Sequence, residues 1–426
     1  MATVFPAQPL TNWAGNIEFS TRTLHRPTSV DEVQELVAAG DRLRVLGTGH
    51  SFSTVADSTG ALLTVADLPR RIEIDPDRRA VTVSAGTRFG ELTQELDQAG
   101  WALHNLGSLP HISVGGAVAT GTHGSGVTNG TLASAVNALE LVTPSGELVR
   151  LARGDEGFDG SVVALGSIGV VTALGLDLQP SYEVEQRVYD RMWLSALRVN
   201  LREVLASAYS VSIFLTWRRA FADQVWVKHR TDAGPWPHGR DWLGATLAPS
   251  QRNPVPGQDP GYATQQGGVP GPWNARLPHF RLEFTPSAGD ELQTEYLLPI
   301  ENAVPALDVL TGLADRLGPV LHVSEIRTVA ADELWLSEAY QQDSIALHFT
   351  WHPDPAAVAP VVRALEEGLA PLGARPHWGK VFGMEPAAVA ARYPRFADAQ
   401  RLIRGYDPEG KFRNVFTERY LFGVDD

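Results

Sequence analysis

Two glycine-rich segments constrain this chain more than anything else in it: Val45-Leu46-Gly47-Thr48-Gly49-His50-Ser51, and the run from Gly115 to Gly126 that holds Gly116, Thr120, Gly121, Thr122 and His123. Glycine lets backbone N–H groups turn toward a ligand and lets the ligand come close, and successive such amides form an anion-binding concavity suited to a pyrophosphate. Each segment alone also reads as a tight turn. Neither has Gly-x-Gly-x-x-Gly or Walker spacing, so the usual dinucleotide fingerprints do not apply. Taken together, about 70 residues apart among alternating short strands and helices, they point far more specifically to a bound cofactor.

The pattern around them is α+β. Ser29-Val30-Asp31-Glu32 predicts a capped helix, with Gly40 placed for a left-handed C-cap. Strands are predicted at 43–46, 62–65 and 81–83, a helix from about 88 to 100, a hairpin at 138–142 and 148–151, and a strand at 169–174 that runs to Pro180. Beyond it, strands are expected at 211–217, 224–228, 280–284, 322–327 and 345–351, with helices near 301–317 and 355–370. Residues 230–275 are rich in Pro, Gly and Trp with little periodicity, which suits a structured insertion or lid. With 426 residues, two packed domains are the expectation, divided as 1–180, 181–380 and a C-terminal segment 381–426 that returns to the first.

Composition excludes several classes. A formal charge of −14 argues against nucleic acid and anionic membranes as partners. The N-terminus carries no basic-then-apolar leader, and no stretch approaches the length needed to span a bilayer, so a cytoplasmic protein is expected. Cysteine is absent, which removes disulfides, thiolate metal sites and any cysteinyl cofactor bond; with only three Met this also suits heat tolerance.

Strand alternation gives a second, independent clue. In 322–327, Glu325 and Arg327 share a face; in 345–352, Ala346, His348, Thr350 and His352 lie opposite the large apolar residues. Two such strands can make a polar floor on an apolar backing, or an ordinary half-buried sheet with its polar face in water.

Further motifs decide between these readings. Asn12-Trp13-Ala14-Gly15-Asn16, Ser108-Leu109-Pro110-His111-Ile112-Ser113 and Asp407-Pro408-x-Gly410-Lys411-Phe412-x-Asn414, with the two glycine segments, resemble the vanillyl-alcohol-oxidase-type flavoproteins, and within them the aldonolactone and alditol oxidase branch, over essentially the whole chain. The resemblance implies a PCMH-type FAD-binding domain and an antiparallel-sheet substrate (cap) domain. It implies that His50 joins FAD covalently through a ring nitrogen. It further implies that Val45, Leu46, Gly47, Thr48, Gly49, Ser51, Ser108, Ser113, Gly116, Thr120, Gly121, Thr122 and His123 hold the cofactor, with Gly169 and Val170 at the adenine and His377 at the flavin. By the same resemblance Ser108, Gln293, Glu325, Arg327, His348, Thr350 and Lys380 bind substrate, and Lys380, Arg327 and Glu325 act in catalysis: hydride passes from a polyol C1 to flavin N5 and O2 becomes H2O2. Gly107 supports access of oxygen, and a monomer is implied. A polyol has hydroxyls and no charge, so its site needs converging donors and acceptors, which these residue types supply. The alternatives are an aldonolactone oxidase or dehydrogenase, and a non-catalytic carbohydrate-binding protein.

Overall fold

The computed structural model describes residues 2–4, 8–284 and 291–423. The first helix forms as its capping residues dictate: Ser29 Oγ accepts from the Glu32 amide at 3.2 Å, and Asp31 and Glu32 place negative charge in the first turn. Its inner face buries Val33 and Val37 completely. Two details differ from expectation. Glu32 closes back onto the amide of Thr28 at 2.8 Å. Gly40 is extended, with φ −85°, rather than left-handed. The glycine is there for space: a Cβ would sit 2.9 Å from Leu43 Cδ1 and 3.1 Å from the Leu36 carbonyl.

Short strands in the first part build two main sheets. Leu24–Arg26, Ala61–Leu63 and Leu43–Val45 run parallel, with Ala2–Val4 antiparallel at the edge. Ile72–Asp75, Ala80–Ser84, Val170–Asp177, Val136–Val142 and Leu148–Ala152 form an antiparallel five-stranded sheet that contains the expected hairpin.

The remainder is organised on one antiparallel sheet of ten strands. At its centre Phe221–Arg230, Ser210–Leu215, Leu321–Val329, Ser344–Trp351 and Leu292–Pro299 lie side by side. Register follows from the alternation: Ile213, Ile326, Leu347 and Tyr296 align across one face, and Phe214, Glu325, His348 and Glu295 across the other. The apolar face packs on helices, as the 2.8 Å bond from Tyr296 Oη to Glu366 Oε1 of the helix Pro355–Leu369 shows. Phe349, Trp351 and Tyr296 are fully buried there, each worth roughly 2–3 kcal/mol of hydrophobic stabilisation.

The strand expected at 280–284 does not form. Phe280 makes only an isolated bridge to Ala263, and the chain turns after it. The backbone groups that would have built a ladder are engaged elsewhere: the amides of His279 and Phe280 both donate to the Ser108 carbonyl, at 3.1 and 3.3 Å, and that of Arg281 to Tyr262. The 230–275 stretch is a folded insertion tied to the sheet, for example by Gln186 Nε2 donating to the Thr264 and Gln265 carbonyls.

The C-terminal motif closes on the start of the chain. Asp407 accepts from the amides of Lys411 and Phe412, each at 2.8 Å. Asn414 Nδ2 donates to the carbonyls of Thr54, Val55 and Asp57. Arg44, buried without a bonded carboxylate, donates to the carbonyls of Val55, Leu165, Gly166 and Phe412. Burial lowers its guanidinium to about 10, although Asp407 and Asp57 oppose the shift.

Candidate active site

A cavity of about 1010 Å³ runs between the first sheets and the polar face of the large one. This is at the upper end of the range for small-molecule sites, with room for a dinucleotide and a small substrate. One wall carries the first glycine segment, Val45 to Ser51, with Ser113, Gly116, Thr120, Thr122 and His123 of the second. Space there is tight: a Cβ on Gly47 would stand 2.8 Å from Ser113 Oγ, and one on Gly116 3.0 Å from the same atom. Ser113 Oγ is buried with no hydrogen-bond partner among the described residues, a polar atom that a bound ligand would satisfy. Gly169, with φ +130° and a Cβ position 2.2 Å from the Val142 carbonyl, can only be glycine. These features fit a pyrophosphate-bearing cofactor.

Two expected cofactor residues stand behind this wall. Val170 is fully buried in its strand, and Val171 lines the cavity in its place. Gly121, at φ +69°, backs onto Glu338, whose Oε2 would lie 2.1 Å from a Cβ there.

His50 is stacked on Trp13, ring centroids 5.1 Å apart, and its Nδ1 is 3.0 Å from Thr48 Oγ1. Burial, then its neighbours His111 and Lys380, lowers its imidazole to about 4, so the ring is neutral near pH 7. A neutral ring is the nucleophilic form.

The opposite wall is the sheet face. Pairing puts Glu325, His348 and Glu295 in one row, and Val323, Thr350 and Gln293 in the next. Ser108, Gln293, Glu325, Arg327, His348, Thr350, His377 and Lys380 all line the cavity. Gln293 is fixed in orientation: its Nε2 donates to Glu291 at 2.6 Å, and its Oε1 accepts from His348 Nε2 at 3.1 Å and from Lys380 Nζ. Lys380 is only half-buried and lies 5.2 Å from the Phe52 ring centre; burial lowers its ammonium, Glu295 opposing. His348 is held neutral, at about 3, by burial. His377 Nδ1 accepts from the Gly379 amide at 3.0 Å, which leaves Nε2 to carry the proton.

Charge in the floor is balanced locally. Arg327 Nη2 donates to Glu295 Oε1 at 2.6 Å, and its Nε is 3.6 Å from Glu325 Oε1. Burial would raise both carboxyls, but Arg327, with His279 at Glu325 and His123 at Glu295, holds them well below the usual range. Both are acceptors only at neutral pH. Gly107 also lines the cavity, and a Cβ there would meet nothing nearer than 3.6 Å, so alanine fits.

Four residues escaped the sequence reading. Glu295 shares the alternation of Glu291 and Gln293 and was legible on that ground. Lys228, in the apolar run Val225-Trp226-Val227-Lys228, is a buried charge that stands out by composition alone. His279 and Glu338 sit in irregular backbone, where no periodicity marks them.

Known proteins share this architecture. Residues 22–152 match the FAD binding domain family and residues 290–420 the D-arabinono-1,4-lactone oxidase family. Over 97% of this chain and 99% of its own length, an alditol oxidase from Streptomyces sp. (strain IKD472 / FERM P-14339) is 49% identical. An L-gulono-1,4-lactone dehydrogenase from Mycobacterium tuberculosis is 28% identical over 96% of this chain and 98% of its own. The crystal structure of cholesterol oxidase from B. sterolicum superposes with a TM-score of 0.81 at 15% identity, covering 98% of this chain and 97% of the other, and so shows the same two-domain α+β fold; with the FAD binding domain family at 22–152, the first domain is of the PCMH-type FAD-binding class. Among the described residues no helix is long and apolar enough to cross a membrane. With the paired glycine segments, the polar sheet floor and full-length similarity in agreement, the chain belongs to the alditol oxidase family, in the aldonolactone oxidase branch of the vanillyl-alcohol-oxidase-type flavoproteins.

Proposed function

We propose that this protein is an FAD-dependent oxidase of small alditols, converting the primary C1 hydroxyl to the aldehyde of the aldose while O2 is reduced to H2O2. One observation carries the reading: Gln293, Glu325, Arg327, His348, Thr350 and Lys380 converge on the cavity that His50 and both glycine segments also line. When bound, FAD supplies the two-electron acceptor and the route to O2.

The protein's own part is binding, orientation and proton handling. Glu325 accepts hydroxyl hydrogens of the polyol, Thr350 and Ser108 donate or accept, and Arg327 donates from a fixed fork. Lys380, in the neutral amine form that burial favours, takes the C1 hydroxyl proton at Nζ, and Arg327 stabilises the alkoxide charge as it develops. A site of this kind rejects analogues that lack a hydroxyl far more strongly than those that differ by a methylene. Neutral His50 would hold FAD covalently through a ring nitrogen, and Ser113, Gly116 and the 45–51 backbone would hold its pyrophosphate and ribityl chain. The FAD-binding unit spans 1–180 and 381–426, the substrate unit spans 181–380, and the protein works as a monomer on a small polyol and O2.

Anaerobic mixing with xylitol followed by air tests the activity. A yellow band that bleaches and returns with peroxide supports the reading; a yellow protein that bleaches with aldonolactones and not with any alditol refutes it. Acid precipitation tests the bond: the pellet keeps its colour in the parent and loses it in His50→Ala.

A further inference from the structure

Lys228 is 1% exposed near the end of the strand Phe221–Arg230, and among the described residues no carboxylate bonds it. Its Nζ instead faces three acceptors: the carbonyls of Leu277 and Pro278, the latter at 3.2 Å, and His279 Nδ1 at 3.1 Å. Three N–H donors meet three acceptors, so the ammonium is fully satisfied. Having accepted at Nδ1, the neutral His279 ring must carry its proton on Nε2, and that nitrogen donates to Glu325 Oε1 at 2.8 Å. Both ring nitrogens are engaged, and a turn that exchanged them would break both bonds. Phe214 and Trp226, in contact with each other, pack edge-to-face on the ring with centroids 5.4 Å away, and Trp226 is itself tied to Gln224 Oε1 at 2.7 Å. Lys228 at Nδ1 and the Glu325 carboxylate at Nε2 select the same tautomer.

We infer that Lys228 and His279 are a buried positioning pair for Glu325: Lys228 holds the His279 ring at Nδ1, and His279 fixes the Glu325 carboxylate in the orientation that accepts substrate hydroxyls. The inference rests on the proposed alditol reading, because it takes Glu325 as the hydroxyl acceptor. Burial lowers the Lys228 ammonium to about 7, Glu325 opposing the shift and Arg327 adding to it, so the three-donor form that satisfies all three acceptors is fully present only below that pH. Without the Lys228 donor, Nδ1 is left without its partner and the ring is held from the Glu325 side alone. The ring can then shift, and the carboxylate loses its fixed anchor.

The test uses the FAD-loaded enzyme and four variants: Lys228→Met, His279→Leu, His279→Gln and the double variant Lys228→Met/His279→Leu. A Gln amide can accept from Lys228 and donate to Glu325, whereas Leu can do neither. The expected result is a rise in xylitol KM of about tenfold or more in Lys228→Met and His279→Leu, the scale of a hydrogen bond to a charged group. kcat and the flavin spectrum should change little, His279→Gln should recover most of the loss, and the double variant should be no worse than His279→Leu. An unchanged KM in Lys228→Met, a double variant whose losses multiply, or a Gln variant no better than Leu would overturn the pair. If Lys228→Met does not fold, the Gln and Leu variants still decide. Nitrogen NMR of histidine-labelled protein supplies a readout free of substrate: the signal missing in His279→Gln should report an unprotonated Nδ1 in the parent, and a protonated one there refutes the inference. A parent that oxidises no alditol defeats the substrate reading and is recognised separately, by the spectrum of the parent alone.

Discussion

Replacing Arg327 by methionine should destabilise the protein through the carboxylates it leaves behind rather than through the contacts it gives up. Arg327, Glu295 and Glu325 are 6%, 2% and 5% exposed, so water cannot take over the lost donors. Glu295 loses a 2.6 Å charge-assisted bond and keeps only His123 Nε2, 3.2 Å away. Breaking a buried pair by removing one partner costs about 3–5 kcal/mol. In a chain of this size, at about 1 °C per kcal/mol, the melting midpoint should fall by roughly 3–5 °C. The pH dependence makes the test sharper. In the parent the Glu295 carboxyl sits well below its ordinary 4.5, so its contribution is complete above that value and is lost only as pH falls. In Arg327→Met burial is no longer opposed by a strong charge, and the folded carboxyl rises above 4.5. The folded state then binds a proton that the unfolded state releases, and stability falls as pH rises. The gap between parent and variant should therefore widen from pH 5 to pH 8, and adding Glu295→Gln should narrow it. Thermal melts of the FAD-loaded proteins at both pH values decide the matter. A gap that is constant or shrinks toward pH 8, or a double variant less stable than Arg327→Met, refutes the reasoning.

Other expectations are more compact. Burial raises the Glu338 carboxyl to about 8, so the folded state keeps a proton that the unfolded state loses from 4.5 upward. It thereby sheds up to about 1.4 kcal/mol of stability per pH unit across that window; Glu338→Gln should flatten this slope in melts at pH 5–9. Gly121→Ala forces a methyl to 2.1 Å from Glu338 Oε2 at a φ of +69°, and denaturant titration should show a loss of about 2–4 kcal/mol, partly recovered by Glu338→Ala. Lys380→Met should cut polyol turnover by about 100-fold or more, the scale of general base catalysis. The acid-stable yellow colour should persist; near-normal turnover would remove Lys380 from the proton-handling role.

Much of the site was legible because its information is local. The Gly-x-Gly-His-Ser setting marks His50 within seven residues, and alternation alone places Glu325, Arg327, His348 and Thr350 on one face. Alternation could not say whether that face meets water or a ligand. What covers it is Asn253, Pro254 and Tyr262 from the insertion and Phe280 beyond it, distant in sequence and held by bonds that no pattern announces. The misread strand at 280–284 has the same origin, since its apolar rhythm is real but Ser108 and Tyr262 take its amides. Gly40 was assigned a conformational role and has a steric one, because the demand comes from Leu43 on the next strand. Glu338 acts from an irregular loop, where only the folded chain shows what it touches.

The stitching of residues 43–57 by the far end of the chain sets an order of events during synthesis. The strand and turn that present His50 gain their anchors, the Lys411 and Phe412 carbonyls and the Asn414 side chain, only once residues 411–414 have been synthesised. A nascent chain that stops at residue 180 carries both glycine segments but not the clasp that fixes the first of them. The cofactor pocket is thus a late-maturing part of the fold, and only a chain that extends past residue 414 presents it whole.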